Sequence, residues 1–141
     1  MECRNKMNLK FLSLGENESF ARLAVASFCS NVSFSIEDIS DIKTAVSEGV
    51  TNAIVHAYDG NIGEVEIQCT IFDDFVEILI MDSGKGIENI DEAMKPFFTT
   101  KPDKERSGMG FTVMEGFMDK MEVKSEKDKG TCVTLIKKIK K

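Results

Sequence analysis

Apolar and polar positions alternate in "MNLKFLSL", where Asn8 and Lys10 separate Met7, Leu9 and Phe11, and this period of two predicts a half-buried strand. The period then lengthens. Phe20, Leu23, Ala24, Phe28 and Val32 recur at helical spacing through "ESFARLAVASFCSNV", with Asn17 as the expected N-cap. A second, longer helix is predicted after Ser35 and Asp38, which are spaced as a capping box. Its apolar stripe runs through Ile39, Ile42, Val46, Val50, Ala53 and Ala57. "GEVEIQCTIF" sets Val65, Ile67, Cys69 and Ile71 against Glu66, Gln68 and Thr70, and a turn at Asp73 and Asp74 leads into "FVEILIMD". That second strand is apolar on both sides, which predicts a central place in a sheet.

After Asp82 the pattern breaks into a long polar stretch holding both prolines, Pro96 and Pro102; loops of this length are functional or disordered. A third helix is predicted from about Phe111, with Val113, Met114, Phe117 and Met118 as its apolar face. "MEVKS" and "GTCVTLIKKI" close the chain as a hairpin through "EKDKG". The order is strand, helix, helix, hairpin, loop, helix, hairpin. Helices that do not alternate singly with strands argue for an α+β fold with the helices gathered on one face of the sheet.

The chain has 141 residues, 42% of them hydrophobic and 30% charged, which predicts a single domain over residues 1–141. Its formal net charge of −6 repels a phosphate backbone, so direct nucleic-acid binding is not expected. The basic run from Lys137 to Lys141 reads as a solvated end rather than a phosphate-binding tail. No signal-peptide pattern and no apolar run of membrane-spanning length occurs, so a cytoplasmic protein without a membrane segment is expected. Cys3, Cys29, Cys69 and Cys132 form no CxxC pair and read as reduced, mostly buried thiols.

"TAVSEGVTNAIVHAY" is helical in pattern yet nearly free of charge, and its two isolated polar groups, Glu48 and Asn52, stand one turn apart on the same side. Both are expected to point off the core, among Ala45, Gly49, Thr51 and Val55 rather than the usual Lys and Glu, so something covers that face. A carboxylate is a general base for a hydroxyl, and an amide oxygen is a hard ligand for Mg²⁺; the pair suits metal-assisted phosphoryl transfer. The plainer alternative is a solvated Glu48 and an Asn52 bonded to a neighbouring loop. "DSGKGI" follows directly on the central strand. There an ionised Asp82 accepts hydrogen bonds only, which suits the amino group of adenine, and Gly84 and Gly86 permit close backbone approach. The same letters also make an ordinary turn. "SGMGF" places Gly108 and Gly110 before the third helix, as an anion site or a hinge. Gly130 and Thr131 open the last strand, where the hydroxyl can reach a base through water or the glycine can simply serve the hairpin.

In the order ExxxN, DxGxG, GxG and GT, these fragments resemble the GHKL superfamily of ATPases and kinases, and nothing matches the P-loop. "NESFAR", "DIKTAVSEGVTNAIVHAY" and "PFFTTKPDKERSGMGF" are similar to the bacterial anti-sigma serine kinases, above all their sporulation branch. That resemblance covers nearly the whole chain. It implies a two-layer α/β sandwich with a mixed, mainly antiparallel sheet, a homodimer, and ATP bound with Mg²⁺. It also implies two linked activities: holding a sigma factor, and phosphorylating a serine of an anti-anti-sigma partner. Carried onto this sequence, Glu48 is the general base, Asn52 the Mg²⁺ ligand, and Asp82 the adenine reader beside Gly84 and Gly86. Thr99, Thr100, Lys101, Ser107, Gly108, Met109 and Gly110 belong to a lid over the phosphates, and Thr131 lies near the base. Arg22, Glu105 and Arg106 match partner-contacting positions, although Arg22 paired with a nearby acid accounts equally for the lone charge on its helix.

Two positions depart from the pattern. Ser83 stands where relatives often carry an acid, and Lys85 adds a charge that either approaches phosphate or faces water. A histidine kinase would need a phosphoacceptor on a separate helix, whereas the single His56 lies within the ATP helix. The remaining alternatives are a stress-response anti-sigma kinase with the same boxes, and a nucleotide-gated module that sequesters a sigma factor with little kinase activity.

Overall fold

The computed structural model describes residues 2–87, 90, 94 and 110–140. Five strands, β1 (Asn5–Leu12), β2 (Glu64–Ile71), β3 (Phe75–Asp82), β4 (Lys120–Glu126) and β5 (Gly130–Lys138), form one sheet in the order β1-β2-β3-β5-β4. Every neighbouring pair among them is antiparallel, and β3 is central, as its two-sided apolar pattern predicts. Among the described residues three helices, α1 (Asn17–Cys29), α2 (Ile36–His56) and α3 (Gly110–Phe117), lie with α2 packed against both of the others. The expected α+β layering is what forms.

Alternation along the strands decides which face the helices cover. Val65, Ile67, Cys69 and Ile71 of β2, Val76, Ile78 and Ile80 of β3, and Val133 and Leu135 of β5 are all buried. They meet Ile42, Ala45, Val46, Val50 and Ala53 of α2 and Met114 of α3 in one core. Full burial of each of the larger aliphatic side chains contributes roughly 1.5–3 kcal/mol. Cys29 and Cys69 belong to this core, and burial pushes the Cys29 thiol up to about 12. Cys132 is half-buried and Cys3 exposed, so only two of the four thiols are inside.

Helix ends follow local chemistry. Ser35 and Asp38 form the reciprocal capping box at the start of α2, each side chain bonding the other's backbone amide. Asn17, in contrast, is not a cap: Glu16 occupies that position without a side-chain bond, and the Asn17 amide donates to the Leu12 carbonyl instead. α1 also stops at Cys29, short of Val32, because Ser30 and Asn31 donate back to the carbonyls of Ser27 and Phe28 and compete with further turns. On α3, Met114 faces the core, but Phe117 ends the helix and is largely exposed.

The basic run at the C-terminus departs most from expectation. Lys137 takes the next core-side position of β5 after Val133 and Leu135 and is buried, not solvated. Its ammonium donates to the Phe117 carbonyl at 2.7 Å and lies 3.3 Å from an Asp41 carboxylate oxygen. A carbonyl in the last turn of a helix has no intrahelical partner, so the cation satisfies it and opposes the helix dipole. Lys137→Met keeps most of the stem and removes the donor. It is expected to lower stability by ~1–3 kcal/mol, seen as a lower urea midpoint at unchanged slope; an unchanged midpoint would contradict the role.

Candidate functional site

The last residue of the central strand, Asp82, lies in register with Val65 on one side and Thr131 on the other. Since Val76, Ile78 and Ile80 face the helices, period two sends the Asp82 side chain to that same covered face. Burial pushes its carboxyl above the ordinary value, while hydrogen bonds from the Gly84 and Thr131 amides pull the other way and do not compensate. The ionised form therefore costs the fold stability. That cost is present in full above the raised value and is relieved progressively as pH falls from there to the ordinary carboxylate value. A half-buried acceptor held at such expense is more than a turn residue needs.

Glycine is required around it because backbone passes over backbone. A Cβ on Gly84 would lie 2.1 Å from the Ala57 carbonyl oxygen, and one on Gly130, at φ +107°, would lie 2.1 Å from the Asp82 carbonyl oxygen. The turn after β3 is thereby wedged between the end of α2 and the start of β5. Four of its amides are also engaged. Ser83 N–H donates to the Tyr58 hydroxyl, Gly84 N–H to Asp82, Lys85 N–H to the Ala57 carbonyl and Ile87 N–H to the Ser125 hydroxyl. The Lys85 ammonium pairs with Asp59 at 3.0 Å. Amides so engaged are poor phosphate donors, so this turn forms a rigid floor with one outstanding acceptor, Asp82.

On α2, whose end meets this turn at Ala57, Glu48 and Asn52 are both half-buried. Their expected neighbours Ala45 and Gly49 do not share an uncovered face with them; both are buried against the core. A Cβ on Gly49 would come 2.5 Å from Ile80 Cδ1 and 3.3 Å from Met114 Sδ, because α2 is wedged between sheet and α3 and its covered arc is wider than a single stripe. What stands over Asn52 is α3 itself. Gly110, its first residue, is so close that a Cβ would lie 2.9 Å from Asn52 Nδ2 and 3.0 Å from Oδ1.

Thus Asn52 and Gly110 are in contact, and Asp82, Gly84, Gly86 and Thr131 share one end of the sheet. Gly86, at φ +75°, lies against the β4–β5 turn, where a Cβ would be 2.2 Å from the Glu126 carbonyl oxygen. The Thr131 hydroxyl is 2.8 Å from that of Ser125. Thr99, Thr100, Lys101, Glu105, Arg106, Ser107, Gly108 and Met109 lie outside the described residues. Arg22 stands on α1, with its Nε 3.6 Å from Glu18 and its Nη2 3.3 Å from the Ser19 hydroxyl, so the nearby acid is present. Pattern reading passed over Tyr58 and Ser125. Tyr58 had one signal, as the single tyrosine of the chain just past the charge-poor helix; Ser125 had none, since its role depends on pairing with Thr131.

Residues 13–137 match the histidine kinase-like ATPase domain family. The chain is 54% identical over 139 residues to the anti-sigma F factor of Caldanaerobacter subterraneus subsp. tengcongensis, covering 99% of this chain and 97% of that protein. It is 58% identical over 134 residues to the anti-sigma F factor of Clostridium acetobutylicum, covering 95% and 94%. This chain belongs to the anti-sigma F factor family. Among solved structures, the RsbU and RsbW domains of Rv1364c from Mycobacterium tuberculosis superpose with a TM-score of 0.69 at 18% identity, over 94% of this chain and 32% of that one. The mycobacterial sensor histidine kinase MprB gives 0.60 at 19% identity, over 94% and 97%. At those identities the likeness is one of fold.

Membership of the histidine kinase-like ATPases implies ATP binding. Mg²⁺ is commonly held by phosphates, water and one or two protein oxygens, and the Asn52 amide oxygen beside Gly110 is a donor of the type that would fit such an ion. Among the described residues no helix is long and apolar enough to cross a membrane.

Proposed function

We propose that this anti-sigma F family member binds a sporulation-type sigma factor and, as an ATP-dependent serine kinase, inactivates its anti-anti-sigma partner by phosphorylation. The observation that carries the kinase reading is the placement of Glu48 one helical turn before an Asn52 that touches the start of α3, on the helix whose end, at Ala57, meets the turn after Asp82. Sequestering a sigma factor needs no general base. Phosphoryl transfer does.

In this reading Asp82 accepts from the adenine amino group, a keto base being refused because the oxygen it carries at that position is an acceptor and offers the carboxylate no donor there. The Thr131 backbone beside Asp82 and the stacked glycines let the base lie close to the main chain. Asn52 supplies one oxygen to a Mg²⁺ whose charge, when the ion is bound, offsets that of the phosphates. Glu48 takes the proton from the partner's serine Oγ as that oxygen bonds to the γ-phosphorus, and the bond to the ADP oxygen breaks. Thr99, Thr100, Lys101, Ser107, Gly108, Met109 and Gly110 close over the phosphates, and Glu105 and Arg106 in the same segment contact partners, as does Arg22 on α1. A homodimer is the proposed assembly.

The test mixes the purified protein, Mg-ATP and an anti-anti-sigma protein of the same system, with intact-mass detection. A gain of one phosphate on a serine, dependent on Mg²⁺, is the expected result. Nucleotide binding and sigma capture without transfer would instead describe a nucleotide-gated sequestering module.

A further inference from the structure

We propose that Tyr58 is a specificity-determining positioning residue, whose hydroxyl fixes the Asp82 turn and thereby sets the preference for adenine over a keto base. The inference rests on Asp82 being the base reader. Tyr58 itself is placed one residue beyond the Ala57 cap of α2, where its ring reaches across to two other elements.

Its hydroxyl is used in full. It donates to the Glu64 carbonyl at the start of β2 and accepts from the Ser83 amide at 2.9 Å. Ser83 directly follows Asp82, so one oxygen ties the reader's own turn to the opposite edge of the hairpin. The ring has a seat made for it. Gly63 carries no side chain, and a Cβ there would stand 2.2 Å from Tyr58 Cε1. Gly63 is in turn held on both sides by the buried Ser13, which donates its amide to the Gly63 carbonyl at 2.8 Å and accepts the Gly63 amide on its hydroxyl at 2.9 Å. The chain of contacts runs from the end of β1 through Gly63 and Tyr58 to Ser83 and Asp82.

The consequence is geometric. Gly84 N–H bonds Asp82 Oδ1 from within the turn and so moves with it. Lys85 and Ile87 anchor the far side of the turn to α2 and β4. On the near side, the described anchor for the residue next to Asp82 is the tyrosine hydroxyl. Without it, the Ser83 amide loses its anchor and the carboxylate, still bonded by the Gly84 and Thr131 amides, is held less exactly; its direction is what separates a base with an amino donor from one with a keto acceptor.

The experiment titrates Mg-ATP and Mg-GTP separately into wild type, Tyr58→Phe and Asp82→Asn by calorimetry, with thermal unfolding of each protein. Tyr58→Phe keeps the ring in its seat, and ATP affinity is expected to fall ~3–10-fold, the worth of one hydrogen bond. GTP affinity should change less, so the ATP/GTP ratio falls. Gly63→Ala, which pushes the ring and its hydroxyl out of place while leaving both chemically intact, should lower the ratio in the same sense and covers the case of a poorly folding Tyr58→Phe. An unchanged ratio in a folded variant, or equal losses for both nucleotides, overturns the positioning role and leaves Tyr58 as a structural tie. If Asp82→Asn binds ATP as wild type does, the base-reading assignment fails first and the proposal falls with it.

Discussion

Glu48→Gln is expected to slow transfer of phosphate to the partner's serine by ~10²–10⁴-fold, the usual contribution of a positioned general base. The substitution is close to isosteric, and Glu48 is only half-buried, so the helix around it should remain intact. Ala45, Val46, Gly49 and Val50, which hold this part of α2 on the sheet and α3, are untouched. Nucleotide affinity and sigma binding should therefore stay near wild type, and the loss should appear in turnover rather than in saturation. Intact-mass time courses at saturating Mg-ATP measure it directly. Wild-type rates in the variant would remove the carboxylate from the mechanism while leaving Asn52 and Asp82 as nucleotide contacts.

Gly130→Ala is expected to be the most damaging single methyl in the described fold, lowering stability by ~2–4 kcal/mol through a clash and an unfavourable dihedral together. The added Cβ would sit 2.1 Å from the Asp82 carbonyl oxygen and 2.9 Å from Ser83 Cα, at φ +107°. Neither neighbour is a flexible side-chain end that can step aside. Because the atoms it pushes are those of the base-reading turn, nucleotide affinity should fall along with the denaturation midpoint. The same change at Gly116, where nothing lies within 4 Å of the added carbon, should be neutral or stabilising by about 0.5–1 kcal/mol, as expected for glycine replaced within a helix. A wild-type midpoint for Gly130→Ala would mean that β5 and the end of β3 can separate without cost.

The two effects belong to different layers of one design. The proposed general base, Glu48, stands on α2, a long helix held by its capping box and a wide buried face. The proposed base reader, Asp82, stands at the end of the central strand with neighbours on both sides. Long, well-packed elements hold a site more closely than loops do, and phosphoryl transfer depends chiefly on such positioning.

The sequence by itself determined the elements and their order, since hydrophobic period reports which side of a helix or strand must leave water, and that holds before any tertiary contact forms. It determined the central place of β3, from an apolar run on both sides, and the start of α2, from Ser35 and Asp38. It also marked Glu48, Asn52 and Asp82 as polar groups out of keeping with their surroundings, though the roles proposed for them came through family resemblance. Tertiary structure alone decided that Ala45 is buried and that Gly49 is covered by Ile80 and Met114, because a helix packed on two sides buries more than its own periodicity foretells. It decided that Lys137, in a basic run that reads as solvated, is buried against Asp41 and the end of α3, since a charge finds its partner only where distant segments meet. It decided, finally, that Tyr58 and Ser125 brace the turn after Asp82: those bonds join residues 25 and 38 positions apart, and a hydrogen bond across such a span leaves no periodic trace in the chain.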